Sequence, residues 1–264
     1  MKISELKGYE LGKQSIHYEE RDAILYALSV GVTSSETSLI YEKDLRVLPV
    51  YACALGLWAV EAAGELGVYD RKYSLHASQY LEVYRSLPKS ANIETFGKIT
   101  GVWDKGKAAL MDIEVECEYF RASYGIFLPG FGGWGGDRGV SLSEKVKKTR
   151  SSWSCKFTTS TEQAALYRLT GDLHPIHIDP VVAQENNFER PILHGLCTLG
   201  IVARMIAEAV GARPTDLKKL DARFSSPVLP GDLIEVSADY NSSDINFEAR
   251  VGSISVIKGG RAFF

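Results

Sequence analysis

An α+β fold made of two copies of one unit is predicted for this 264-residue chain by three observations. Each half carries an apolar helix pattern followed by a run of strand candidates. Short stretches of the first half recur in the second, in the same order and at nearly constant spacing. A glycine-rich stretch, 128–144, lies between them, giving repeats at 1–127 and 145–264.

The elements of the first half follow in order. Glu19-Glu20-Arg21-Asp22 is an acidic helix start leading into Leu25-Tyr26-Ala27-Leu28-Ser29. An apolar helix then runs from Val47-Leu48-Pro49 to Gly64. Strand candidates are Gln79–Arg85, Ile93–Asp104 and Lys107–Tyr119. In the second half, Thr161-Glu162-Gln163 leads into Leu166-Tyr167-Arg168-Leu169-Thr170, which matches Leu25–Ser29 at an offset of 141. Ile192-Leu193-His194 corresponds to Val47-Leu48-Pro49 at 145. A helix from Gly195 to Gly211 places Leu196, Leu199, Val202, Ala203, Ile206 and Val210 at helical spacing with few charges, which predicts burial. Strand candidates Leu220–Phe224, Leu233–Tyr240, Asn246–Val251 and Ser253–Lys258 follow, punctuated by Pro227, Pro230-Gly231 and the polar run 241–244. Phe224 to Pro230 mirrors Tyr84-Arg85-Ser86-Leu87-Pro88 at 142. The ordered set implies a duplicated unit of about 120 residues.

Composition narrows the function classes. With 45% hydrophobic and 24% charged residues the chain can bury a full core. A net charge of −3 and a pI near 6.0 argue against nucleic acid as partner. Cys53, Cys117, Cys155 and Cys197 stand singly, which fits free thiols in a reducing compartment. The longest uncharged apolar run, Val47 to Val60, is 14 residues and contains Pro49, so no membrane insertion is expected. Without a signal peptide or a terminal Ser-Lys-Leu, a cytoplasmic or peroxisomal protein is expected. The glycine-rich stretch Leu128–Gly139 lacks the spacing of a phosphate loop; it reads as a flexible linker or a ligand-covering loop.

The chemistry is concentrated between Tyr167 and Gly195. This stretch holds His174, His177 and His194, three of the five histidines, beside Asp172 and Asp179. Gly171 permits a turn before Asp172, and Pro175 stops helix continuation before His177. A carboxylate and an imidazole converging there supply the acid and base needed to move a proton near neutral pH. The plainer alternative makes Asp172 an Asx-turn residue and His177 a satisfied polar group. Metal binding is disfavoured: His174, His177, Asp179 and His194 lack a His-Glu-x-x-His setting or a further His/Cys cluster. A serine triad is disfavoured too, for want of a Gly-x-Ser-x-Gly elbow. Gly195, opening the buried helix, offers either free N–H groups for an oxyanion or room for helix–sheet packing. Carried back by 141, Asp172 and His177 fall on Gly31 and Glu36, so one site per chain is expected.

These residues resemble the MaoC-type (R)-specific enoyl-CoA hydratases, above all the hydratase unit of the peroxisomal multifunctional β-oxidation enzymes. The motif Tyr-x-Leu-Ser/Thr-Gly-Asp-x-Asn-Pro-x-His matches Tyr167, Leu169, Thr170, Gly171, Asp172, Pro175 and His177. The likeness extends through Pro191 to Thr198, Phe224 to Val228, Leu25 to Leu28, Val102 to Gly106, and Gly132 to Gly139. It implies a double hotdog: two helix-wrapped antiparallel sheets joined into one. It also implies reversible syn addition of water to a trans-2-enoyl-CoA, giving a (3R)-hydroxyacyl-CoA. Asp172 and His177 would activate the water, and Gly195 would donate to the thioester oxygen. His174 would orient the water, while Tyr167, Pro175, His194 and Arg223 would contact substrate. The resemblance implies no metal or other cofactor, only an acyl-CoA or related thioester as substrate, and a homodimer. His174 stands where the family has Asn, which points to a retuned site. Other readings are dehydration in a polyketide or specialised thioester pathway, a hotdog thioesterase, and a non-catalytic acyl-CoA-binding partner.

Overall fold

The computed structural model describes residues 1–139, 152–241 and 244–264. Positions 140–144 of the expected linker and the start of the second repeat at 145 lie outside the described residues.

The first repeat contains strand β1 (Glu10–Tyr18), helices α1 (Glu20–Ser29), α2 (Tyr51–Leu55) and α3 (Trp58–Glu65), and strands β2 (Leu75–Val83), β3 (Ala91–Asp104), β4 (Ala108–Glu116) and β5 (Phe120–Pro129). The second contains β6 (Trp153–Thr158), α4 (Gln163–Tyr167), α5 (Pro180–Glu185), α6 (Gly195–Ile206), β7 (Lys219–Phe224), β8 (Leu233–Asn241), β9 (Asp244–Val251) and β10 (Ile254–Phe263). These ten strands form one sheet in the order β1-β3-β4-β5-β2-β7-β10-β9-β8-β6. Read inward from either edge, each half has the same order: first, third, fourth, fifth, second. That shared order is the duplication seen in three dimensions.

The halves meet where β2 pairs antiparallel with β7, from Ser78 opposite Arg223 to Glu82 opposite Lys219. Alternation decides what each face holds. Along β7, Leu220 and Ala222 are buried under the helices, while Lys219, Asp221 and Arg223 occupy the other face. In β5, Phe120, Ala122, Tyr124, Ile126 and Leu128 are all buried. Helix α6 is almost wholly buried, as its apolar periodicity predicts. Gly200 lets α1 approach it: a Cβ there would lie 2.6 Å from Val30 and 2.9 Å from the Tyr26 hydroxyl.

Three expectations change. The apolar helix of the first half is two short helices broken around Gly56, where a Cβ would meet the Tyr124 hydroxyl at 2.5 Å. Strands β1, β5 and β6 add to those expected from the sequence. Residues 130–139 are tied down rather than loose: the Asp104 carboxylate accepts N–H bonds from Gly106, Gly133, Gly135 and Gly136 at 2.8 to 3.3 Å. Those four donors hold its pKa down at about 2. Phe131 packs edge-on against Tyr69, 6.4 Å between centroids, so the segment buttresses a cavity wall.

The positions that correspond to Asp172 and His177 serve packing between repeats. Gly31 has φ +83°, and a Cβ there would collide with the Phe157 ring of β6. Glu36 pairs with Arg204 of α6 at 3.4 Å, and Arg204 also donates to the Val30 carbonyl.

Candidate active site

A cavity of about 550 Å³ opens along the seam, within the range of small-ligand sites. The first repeat supplies Leu57, Val60, Tyr69, His76 and Ile126 to its wall; the second supplies Asp172, His174, His177, Gly195, Leu196 and Phe224. Charge is confined to a few wall groups, among them the Arg71–Glu61 pair and Lys72, bonded at 2.6 Å to Glu185 of α5.

The loop bearing Asp172 and His177 is shaped by local chemistry. Gly171 has φ +127°, backbone that a residue with a Cβ resists. Asp172 Oδ1 accepts the His174 N–H at 3.2 Å, so the Asx-turn reading is also realised. Pro175 opens a 3₁₀ turn, Pro175–His177, and the His174 ring caps it: Nδ1 accepts the Ile176 N–H at 3.3 Å. Asp179 caps α5 by accepting from Val181 and Val182.

His177 donates through Nδ1 to the Ile192 carbonyl at 2.9 Å. A carbonyl only accepts, so in the neutral ring Nε2 keeps its lone pair. Burial holds the His177 pKa below its usual value, against the opposing pull of the Asp172 charge. Asp172, His177 and His194 each place a polar side-chain atom within 4.8 Å of the others. Two hydrogen bonds of ~2.8 Å meeting at one water oxygen span roughly 4.6 Å, a reach that this upper limit allows for a bridging water. The His177 and His194 rings stack at 3.6 Å with 26° between planes. Their in-plane lone pairs therefore lie in two separate, nearly parallel planes, an arrangement poorly suited to converging on one ion.

None of the four residues assigned to substrate contact lines the cavity. Tyr167 is 1% exposed and packs behind His194, with ring centroids 4.8 Å apart. His194 is fully buried and donates through Nε2 to the Asp172 backbone carbonyl at 3.2 Å. Pro175 is exposed and shapes the turn. Arg223 lies on the sheet face away from the helices, while its neighbour Phe224 faces the cavity. Motif proximity suggests these contacts; backbone alternation and packing redirect them.

His76 escapes sequence reasoning. A bulge between His76 and Ser78 turns its side chain to the cavity side, where it stands edge-on to Phe224 at 4.9 Å. Nε2 donates to the Ser78 carbonyl at 3.1 Å, and burial lowers its pKa to about 4. No local pattern links it to a motif 96 positions away; only the seam does.

Fold and cavity define a two-repeat hotdog protein with a cavity at the junction of its repeats. Residues 144–258 match the family described as "MaoC like domain", and residues 16–126 match "MFE-2 hydratase 2 N-terminal domain". The peroxisomal enoyl-CoA hydratase 2 of Arabidopsis thaliana is 33% identical over 260 residues, covering 87% of this chain and 84% of that one. The mouse peroxisomal multifunctional enzyme type 2 is 32% identical over 92% of this chain, which spans only 36% of its length. A solved MaoC-like dehydratase from Phytophthora capsici superposes with TM-score 0.89 at 26% identity, covering 99% of this chain and 96% of that one. A Mycobacterium tuberculosis structure described as a double hotdog fold shares the fold at TM-score 0.61 and 12% identity, over 97% and 95% of the two chains. The chain belongs to the MaoC-like enoyl-CoA hydratase 2 family.

Proposed function

We propose that this protein is an (R)-specific enoyl-CoA hydratase, a hydro-lyase that adds water reversibly to a trans-2-enoyl-CoA. Family membership supports the reaction class, and the gathering of Asp172 and His177 within 4.8 Å of one another at the cavity wall supports the mechanism. The water gives a proton to the dyad as its oxygen bonds Cβ. The dyad returns a proton to Cα on the same face, which makes the addition syn. One water is consumed, and both side chains end as they began. The thioester carbonyl lies at Gly195, where the first turn of α6 has N–H groups without intrahelical acceptors. Donors fixed before reaction favour the enolate over the ground-state carbonyl. His76 and Phe224 line the wall of the same cavity, from opposite sides of the seam.

The reaction needs no metal or further cofactor; CoA enters only as part of the substrate. The protein works as a homodimer in the cytoplasm or peroxisome. No helix among the described residues is long and apolar enough to cross a membrane. Loss of enone absorbance from crotonyl- or decenoyl-CoA, with (3R)-hydroxyacyl-CoA as product, is the test. Thioester binding without any absorbance change would leave a non-catalytic binding protein, and release of free thiol would mean a thioesterase.

A further inference from the structure

His194 is fully buried and does not line the cavity wall. It holds both members of the dyad instead. Its Nε2–H donates to the main-chain carbonyl of Asp172 at 3.2 Å, fixing the backbone that carries the carboxylate. Its ring lies flat on that of His177 at 3.6 Å, fixing the plane of the imidazole. Tyr167 backs the ring from 4.8 Å and rests in turn on Tyr26 of α1, 6.1 Å away. His194 is itself anchored as the residue before α6, its carbonyl accepting the Thr198 N–H at 3.1 Å.

We propose that His194 is the positioning residue of the dyad, a neutral Nε2–H imidazole that locks Asp172 through its carbonyl and His177 through its ring face. The inference rests on the hydratase reading. The work requires a donor at the ring edge together with a flat face. Phenylalanine supplies only the face, and glutamine only the donor. Burial lowers the His194 pKa to about 3, so it stays neutral and sets no second positive charge against His177 when that ring takes a proton.

The test uses the full chain and has two arms. In wild-type protein labelled with ¹⁵N-histidine, NMR should show His194 as the neutral Nε2–H tautomer from about pH 5 to about pH 9. An Nδ1–H tautomer, or titration in that range, overturns the proposal and needs no turnover to read. In the second arm, His194→Phe and His194→Gln should each lower kcat by ~10- to 10²-fold with KM little changed, the cost of small misplacement. His194→Gln also opens space beside His177, so the acid limb of kcat/KM should move up toward about pH 6.5. Wild-type kcat and an unmoved pH profile in both folded variants would overturn it. If neither variant folds, the tautomer measurement decides. A wild-type protein inert toward every enoyl-CoA would sink the hydratase reading while leaving the tautomer result legible.

Discussion

The imidazole of His174 caps the turn that carries His177, accepting the Ile176 N–H through Nδ1 at 3.3 Å. The carbonyl oxygen of an asparagine side chain can reach the same point from the same backbone position, so either residue can cap this turn. His174→Asn should therefore leave hydration of crotonyl-CoA within ~3-fold, whereas His174→Ala loses the cap and about 1 kcal/mol of stability. A large gain in activity with Asn would instead mark His174 as tuned to another acyl group.

Asp172→Asn and His177→Ala should each cost at least ~10²-fold in kcat, the usual scale of general acid–base catalysis. Circular dichroism melts would establish that both variants are folded. Near-normal turnover in either would dismiss the dyad.

Stability should fall as acid is added, starting near neutrality. His76 and His194 have folded pKa values of about 4 and about 3, below the unfolded value near 6.5. Between those limits the unfolded chain binds protons that the native protein refuses, so stability present above about pH 6.5 is lost as pH drops. Each such ring contributes a slope of about 1.4 kcal/mol per pH unit. Urea titrations at several pH values would measure it. His76→Phe should flatten the slope by one ring's share, and an unchanged slope would contradict the assignment.

Asp104→Ala removes the acceptor shared by four backbone N–H groups. The segment 130–139 should then become the first site of limited proteolysis, with a lower Tm. Wild-type resistance to protease there would mean the clasp carries no weight.

Gly200→Ala should destabilise by about 1–3 kcal/mol, the cost of forcing a methyl into a packed core. The close neighbours are Val30 and the Tyr26 hydroxyl, both on the α1 side. Chemical denaturation would show whether α1 can retreat instead.

The second repeat is far more legible in the sequence than the first. Helix α6 and strands β7 to β10 carry clean periodicity, and Pro227 and Pro230-Gly231 mark their breaks. Edge strand β1 does not, because its residues are mostly exposed or half-exposed and polar, while β6 alternates Trp153, Cys155 and Phe157 with polar residues over only six positions. Strand β5 has clear alternation from Phe120 to Leu128, yet its end runs into the glycine-rich stretch, which masks it locally. The break at Gly56 depends on Tyr124, far along the chain, and is invisible locally. At the site, Asp172 and His177 are readable as a motif. Arg223 is not a wall residue, although it borders the family-like stretch that begins at Phe224; alternation alone sets it opposite Phe224.

Gly31 and Glu36 stand in the first repeat at the positions that answer to Asp172 and His177 in the second. A protein whose repeats were once equal would have possessed twin machinery, one set on each side of its midline. Here the empty berth has been filled with carpentry: Phe157 leans on Gly31, and Arg204 grips Glu36. Grafting an aspartate and a histidine back into those places would evict the joinery before reviving any chemistry. The asymmetry is thus self-sealing, since each brace set into the silent half makes its return harder.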